Sequence, residues 1–264
     1  MQSRFARFVA VAALAAASVA LLPTPRGALA QSDAPPTAEA LLAEAARASG
    51  GGAAAKLQSR HAVGALKVPA LGLSAPFEVW QTRPNLMLMK VESDAIGSMT
   101  SGTDGETCWE NSTMQGPRIL ADAERARALR EADFDFLLNW NRHFVKAESA
   151  GADTVQERPA WKLLMTPVAG NVETWWLDAQ SGLLVKQDAK LVTNMGEVQV
   201  TAWLEDYREV DGVLIPFRAR QSLMNGLQVM VMATDSIAHD VQPPADLFAL
   251  PAEIVALKAK ATAK

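Results

Sequence analysis

From residue 59 to residue 239 the chain is written in short apolar runs separated by turn residues, and this alternation leaves little choice of fold. HAVGALKV, LSAPFEVWQT, LMLMKVES, SMTSGTDG and ETCWEN follow one another closely, and HFVKAESAG, AWKLLMTPV and LQVMVMATDSIAHDV come later. A period of two residues turns one side of each run to a core and the other outward. With Gly, Pro, Asp and Ser between the runs, the pattern is an antiparallel meander of about twelve strands. Asp104-Gly105 and Asp211-Gly212 are hairpin signals, because both residues tolerate the positive φ of a tight turn. Asp178 to Gly182, in LDAQSGLLVK, closes another hairpin. Pro216 has no N–H to donate, so its strand is bulged or near an edge there.

One stretch demands more. In FEVWQTRPNLMLMK, residues 77–90, two apolar runs flank a polar break that contains Arg83-Pro84-Asn85. Leu86, Met87, Leu88 and Met89 make the second run apolar on both faces. Such a strand needs cover on each side, and the arginine at the turn needs a reason.

Two segments have helical spacing instead. TAEALLAEAARAS opens on Thr37 as an N-cap and stops at Gly50-Gly51-Gly52, with Leu41, Leu42, Ala45 and Ala48 as a narrow apolar stripe. Residues 119–140, ILADAERARALREADFDFLLNW, place Ala123, Ala126 and Leu129 on one helical face. Phe134, Phe136, Leu137, Leu138 and Trp140 crowd together after it. This is one helix, or two short ones, inserted into a β run. The fold class expected is α+β, a curved antiparallel sheet or unclosed β-barrel with helices covering the open face. One face of Leu86 to Met89 then packs in the core, and the other lines a space under the helices.

The first thirty residues stand apart. Arg4 and Arg7 precede an apolar run from Phe8 to Leu22, and Ala28-Leu29-Ala30 matches a signal cleavage site. The run is too short for a membrane anchor. Residues 1–30 are expected to be a cleaved signal peptide, 31–36 a disordered leader, 37–252 a single domain and 253–264 a flexible tail. An exported, periplasmic protein that does not span the membrane follows. Residues 1–30 carry three arginines and no acid, so the net charge moves from −4 to −7 without them. An acidic chain without a basic stripe has no nucleic-acid partner. The lone Cys108 cannot form an internal disulfide and behaves as a small core hydrophobe.

A search for reaction chemistry returns little. His61, His143 and His239 are far apart in sequence and lack metal-ligand spacing, so neither a metal nor a cofactor is expected. No G-x-S-x-G elbow and no phosphate-binding glycine loop occurs. Glu205, Asp206, Glu209 and Asp211 suit a solvated strand end. The chain reads as a non-enzyme. Hydrolysis would return only if His143 or His239 met a carboxylate inside a pocket. Methionine is more informative. Met87 with Met89, and Met230 with Met232, are i, i+2 pairs on shared faces, and methionine suits surfaces that adapt to varied apolar partners. Ordinary gap-filling in a curved core is the plainer explanation.

FEVWQTRPNL, TDGETCWENS, ADAERARALREADFDFLL and PPADLFALP, in this order after a signal peptide and a helix, resemble the LolA/LolB superfamily of periplasmic lipoprotein-localisation proteins. LDAQSGLLVK and DYREVDGVLIP are similar to stretches of uncharacterised exported bacterial relatives. The resemblance implies an unclosed barrel with a helical lid over a hydrophobic cavity that holds acyl chains. It also implies that Arg83, in the RPN turn, bonds the lid and switches it. Candidate cavity or lid residues are then Met87, Met89, Trp109, Phe134, Leu137, Met230 and Met232, though Trp109 also suits a structural role beside the Asp104-Gly105 hairpin. The implied partner is a lipid or acylated lipoprotein. The alternative is an envelope protein-interaction module whose barrel is filled by its own side chains. Cavity volume separates the two.

Overall fold

The structure, a computed structural model, describes residues 35–94, 97–193 and 196–262. The expected signal peptide and most of the expected leader lie outside the described residues.

Thirteen strands form one sheet: β1 (Ser59–Val68), β2 (Leu73–Thr82), β3 (Leu86–Val91), β4 (Met99–Thr103), β5 (Cys108–Ser112), β6 (Gly116–Ile119), β7 (Phe144–Val155), β8 (Arg158–Pro167), β9 (Glu173–Asp178), β10 (Leu184–Thr193), β11 (Gly196–Val210), β12 (Val213–Leu223) and β13 (Gln228–His239). Their order is β6-β5-β4-β3-β2-β1-β13-β12-β11-β10-β9-β8-β7, with every pairing antiparallel. The sheet is therefore two meanders joined by the pairing of β1 with β13. The terminal strands β6 and β7 do not pair, so this is an unclosed sheet and not a sealed barrel. Among the described residues five α-helices accompany it: α1 (Ala38–Ala48), α2 (Gly51–Ala54), α3 (Asp122–Ala132), α4 (Trp140–His143) and α5 (Ala252–Thr262).

Register assigns the faces, because directly opposed residues share one. One row runs Gln81–Met87–Thr103–Cys108, and the adjacent row is Val79–Met89–Ser101–Glu110. This is the face that α3 crosses. Gln81 Nε2 donates to the Glu131 carbonyl at 2.9 Å, and the Cys108 thiol approaches the Arg125 carbonyl at 3.9 Å. The opposite face carries Trp80–Leu88–Gly102–Trp109–Ile119. There Leu88, Trp109 and the fully buried Ile254 of α5 form a cluster, with Leu247, Phe248, Leu250 and Leu257 packed around it.

The doubly apolar β3 is thus covered twice. Leu88 lies beneath α5 on the outer side. Met89 lies on the inner side with Phe77, Val91, Leu66, Val79, Met99 and Met232. The tail expected to be flexible is corrected here: residues 252–262 are a helix that seals the outer face, so the packed unit runs past 252. The helical insertion divides into α3 and the one-turn α4, with residues 133–139 turning between them.

Pro216 sits where its chemistry requires. β12 pairs with β13 only from Arg218 to Leu223, so Val213 to Phe217 has no partner on that side. Val213 and Ile215 pack there against Leu57, Ala53, Ala54, Phe134 and Ile237. The largest core cluster lies at the other end of the sheet. Leu41, Leu42 and Ala45 of α1 meet Phe144, Leu163, Met165, Trp175, Leu177 and Leu184. The Thr37 hydroxyl accepts from the Ala40 N–H at 3.2 Å as the N-cap of α1.

Candidate functional site

The helices do not close completely on the sheet. A cavity of about 490 Å³ remains between α1 and α2, residues 130–138, β1–β2 and β10–β12. That volume lies within the range of small-molecule sites. Its apolar wall includes Phe134, Phe136, Leu137, Leu184, Leu204 and Val213, and its polar wall includes Arg60, Gln81, Gln187 and Tyr207. The Tyr207 hydroxyl donates to the Leu184 carbonyl at 2.6 Å, and burial raises its pKa above the ordinary range.

α3 is held over the sheet by polar ties and not by an apolar face, since only Ala132 of its eleven residues is buried. Arg118 of β6 donates to Glu124 at 2.9 Å, and Arg125 donates to the Glu106 carbonyl at 3.0 Å. Arg130 reaches Glu173 of β9 at 2.7 Å and lies over the Phe144 ring. α3 therefore straps β4–β6 to β9 across the inner face.

Arg83 ties down the next segment. Its Nη2 donates to the Ala54 carbonyl at 2.9 Å, its Nε to the Leu57 carbonyl, and its Nη1 to the Asp135 carboxylate. Ala54 ends α2, so one of these bonds goes to a helix-end carbonyl, and the other carbonyl, that of Leu57, belongs to the turn leading into β1. The Phe134 N–H donates to the Pro84 carbonyl at 3.2 Å, and the Arg83 guanidinium lies 4.9 Å from the centre of the Phe134 ring. One arginine thus joins the β2–β3 turn, the end of α2 and the 133–138 segment that roofs the cavity. The Asp135 carboxylate keeps its other oxygen, Oδ1, buried without a hydrogen bond.

The predicted residues separate into four groups. Phe134 and Leu137 line the cavity, and Arg83 holds its roof. Met87, Met89, Met230 and Met232 lie on the same inner face but not in the cavity wall. Trp109 is corrected: it is on the opposite face, 3% exposed beneath α5, and cannot touch a ligand in this cavity.

Both conditional histidines have a carboxylate. His143 Nε2 is 2.8 Å from Asp133 of the cavity wall, and His239 Nδ1 is 2.9 Å from Asp211. Among the described residues no serine, threonine or cysteine side chain bonds to either ring. The Asp133–His143 pair ties residue 133 to the end of α4. No group of three or more His, Cys, Asp or Glu is placed to hold a metal among the described residues.

The sequence reading missed Arg60, Gln187 and Tyr207. Each sits in a strand whose alternation is ordinary, and only the curvature of the sheet converges them.

The fold is that of LolA-like proteins. A LolA superfamily protein from Nitrosomonas europaea superposes with a TM-score of 0.57 at 14% identity, covering 81% of this chain and 98% of that one. A DUF1329 family protein from Desulfovibrio piger gives 0.56 at 12% identity, covering 80% and 96%. A domain assigned to outer membrane lipoprotein sorting from Vibrio parahaemolyticus gives 0.53 at 9%, covering 79% and 94%. No protein-family model matches the chain, and no curated protein matches it. Identities this low speak for the fold alone.

Proposed function

We propose that this chain is a cell-envelope carrier or binding protein for a hydrophobic ligand, a lipid or the acyl chain of a lipoprotein, held under the lid formed by α3 and residues 133–138. The observation that carries the reading is the Arg83 tie. The same side chain that closes the roof also caps the end of α2, so anything that displaces it frees both walls together. The cavity itself favours this reading over a barrel filled by its own side chains. The signal-like residues 1–30 favour export to the periplasm, and no helix among the described residues is long and apolar enough to cross a membrane.

The energetics suit a reversible lid. Breaking a partly buried ion pair costs about 3 kcal/mol. Burying a methylene contributes about 0.8 kcal/mol, so roughly four methylenes offset the loss of the tie. A longer chain drives capture, and re-formation of the tie assists release.

Gln187→Trp tests the site. Gln187 lines the cavity from β10 on the inner face, opposite Ala202 and Trp175. The indole fills the space. Displacement of a fluorescent acyl probe should weaken at least tenfold in this variant. Unchanged acyl binding would place the ligand elsewhere or nowhere on this face.

A further inference from the structure

The cavity wall holds five charged side chains: Arg60, Arg130, Glu131, Asp133 and Asp135. Four have partners. Arg130 pairs with Glu173, Glu131 with Arg127, Asp133 with His143 and Asp135 with Arg83. Arg60 has none. Its one hydrogen bond runs from Nη1 to the Gln81 side-chain oxygen at a long 3.3 Å. Its Nε is buried without an acceptor, and no carboxylate pairs with it among the described residues. Burial alone pulls this guanidinium down to about 10.

A guanidinium held mostly out of water without a counter-ion is costly, and one left unpaired in a cavity wall is a candidate to receive an incoming anion. Structural stacking accounts for only part of it. Arg60 lies 5.2 Å from the centre of the Phe134 ring, which Arg83 also approaches. Arg83, however, is paired with an acid as well. Arg83 thus has two carbonyls and a carboxylate as acceptors, whereas Arg60 has one side-chain oxygen and no anion among the described residues. Across β13 the neighbour of Arg60 is His239, whose Nε2 is likewise buried without a partner. Gln81 is fixed at its other end by the Glu131 carbonyl, so it positions Arg60.

We infer that the ligand of this cavity is an anionic amphiphile, and that Arg60 binds its carboxylate or phosphate head while Leu137, Leu184, Leu204 and Val213 hold its chain. The inference rests on the carrier reading and narrows it. A planar guanidinium whose Nε and Nη2 make no hydrogen bond among the described residues suits both head groups, since each accepts two parallel N–H bonds.

The test is competition against a fluorescent acyl probe on the purified protein, with dodecanoate, dodecyl phosphate and methyl dodecanoate as competitors. At least one anion should compete ten times more strongly than the ester. Dodecanoate as the stronger competitor indicates a fatty-acid-like head, and dodecyl phosphate a phospholipid-like one. In Arg60→Gln the anion preference over the ester should fall to within twofold. Arg60→Lys should keep part of the preference. Equal competition by both anions and the ester in the wild-type protein, or a preference that survives Arg60→Gln, overturns the role of Arg60 and leaves the carrier reading intact. Failure of all three competitors overturns both. The wild-type comparison needs no variant, so a poorly folding Arg60→Gln does not remove the test.

Discussion

Replacing Arg83 by alanine removes three hydrogen bonds at once and leaves three acceptors behind. The Leu57 carbonyl loses its side-chain donor, the Ala54 carbonyl keeps only the Leu57 N–H at 3.3 Å, and the Asp135 carboxylate, whose Oδ1 is already unpartnered, loses its cation. The two side chains are 19% and 22% exposed, so the pair is neither fully buried nor at the surface. Breaking a buried pair by deleting one member costs about 3–5 kcal/mol, and partial exposure argues for the lower end, about 3 kcal/mol. Asp135 recovers water as soon as residues 133–138 lift. The loss therefore appears first as local opening of the roof and only partly as global unfolding. At about 1.4 kcal/mol per factor of ten, native-state hydrogen exchange across residues 134–139 should speed up by roughly a hundredfold. The Asn139 N–H, which donates to the Asp135 carbonyl at 2.9 Å, is a suitable reporter, while Trp175 in the main core should be nearly unaffected. Arg83→Lys keeps the charge but loses the fork and should fall between. If Arg83→Ala folds and residues 134–139 exchange at the wild-type rate, the tie does not hold the roof and the lid argument fails.

Two further expectations concern stability. Ile254→Ala should destabilise the protein by about 2–5 kcal/mol in urea unfolding, because Ile254 is fully buried against Leu88 and Trp109; an effect under 0.5 kcal/mol would mean that α5 is not part of the packed unit. Asp178→Ala should cost about 1–3 kcal/mol at pH 7, since the buried carboxylate accepts from the Ser181 N–H and hydroxyl, each at 2.8 Å, and from the Gln180 N–H at 3.2 Å. Burial raises this carboxyl, but those bonds and Arg158 outweigh it and hold its pKa below the ordinary aspartate value. A depressed folded pKa stabilises above the unfolded value near 4 and is lost as pH falls through the folded one. The gap between wild type and Asp178→Ala should therefore be full at pH 6 and shrink below pH 4, and a gap that widens in acid would contradict the assignment.

Much of the architecture was legible because the period-two alternation and the Asp-Gly turns are local. The turn at Arg83 could be singled out as well, but its bonds to the lid were what the family resemblance implied, since an arginine at a turn is ordinary by itself. The helix α5 was not. Its sequence is mostly alanine and lysine, and its anchor is a single Ile254, with Leu257 one turn on. Trp109 was offered both as a cavity candidate and as a structural residue, and only the structural role stands, for a related reason. Alternation fixes the sides within one strand, but only the register shows that Trp109 shares a side with Leu88, and with both sides of β3 apolar nothing local says which side is inner. Arg60 was passed over because an arginine at the start of a strand ordinarily points to water. Its burial depends on Phe134, seventy-four residues later in the chain, and only the folded roof brings the two together.

Native mass spectrometry of the protein, purified from its host without detergent, tests the carrier reading most directly. The reading predicts an adduct with the mass of an acyl-bearing lipid or lipopeptide, lost on denaturation and reduced in Gln187→Trp. A clean apo mass that stays clean after incubation with dodecanoate and with a lipopeptide would contradict it.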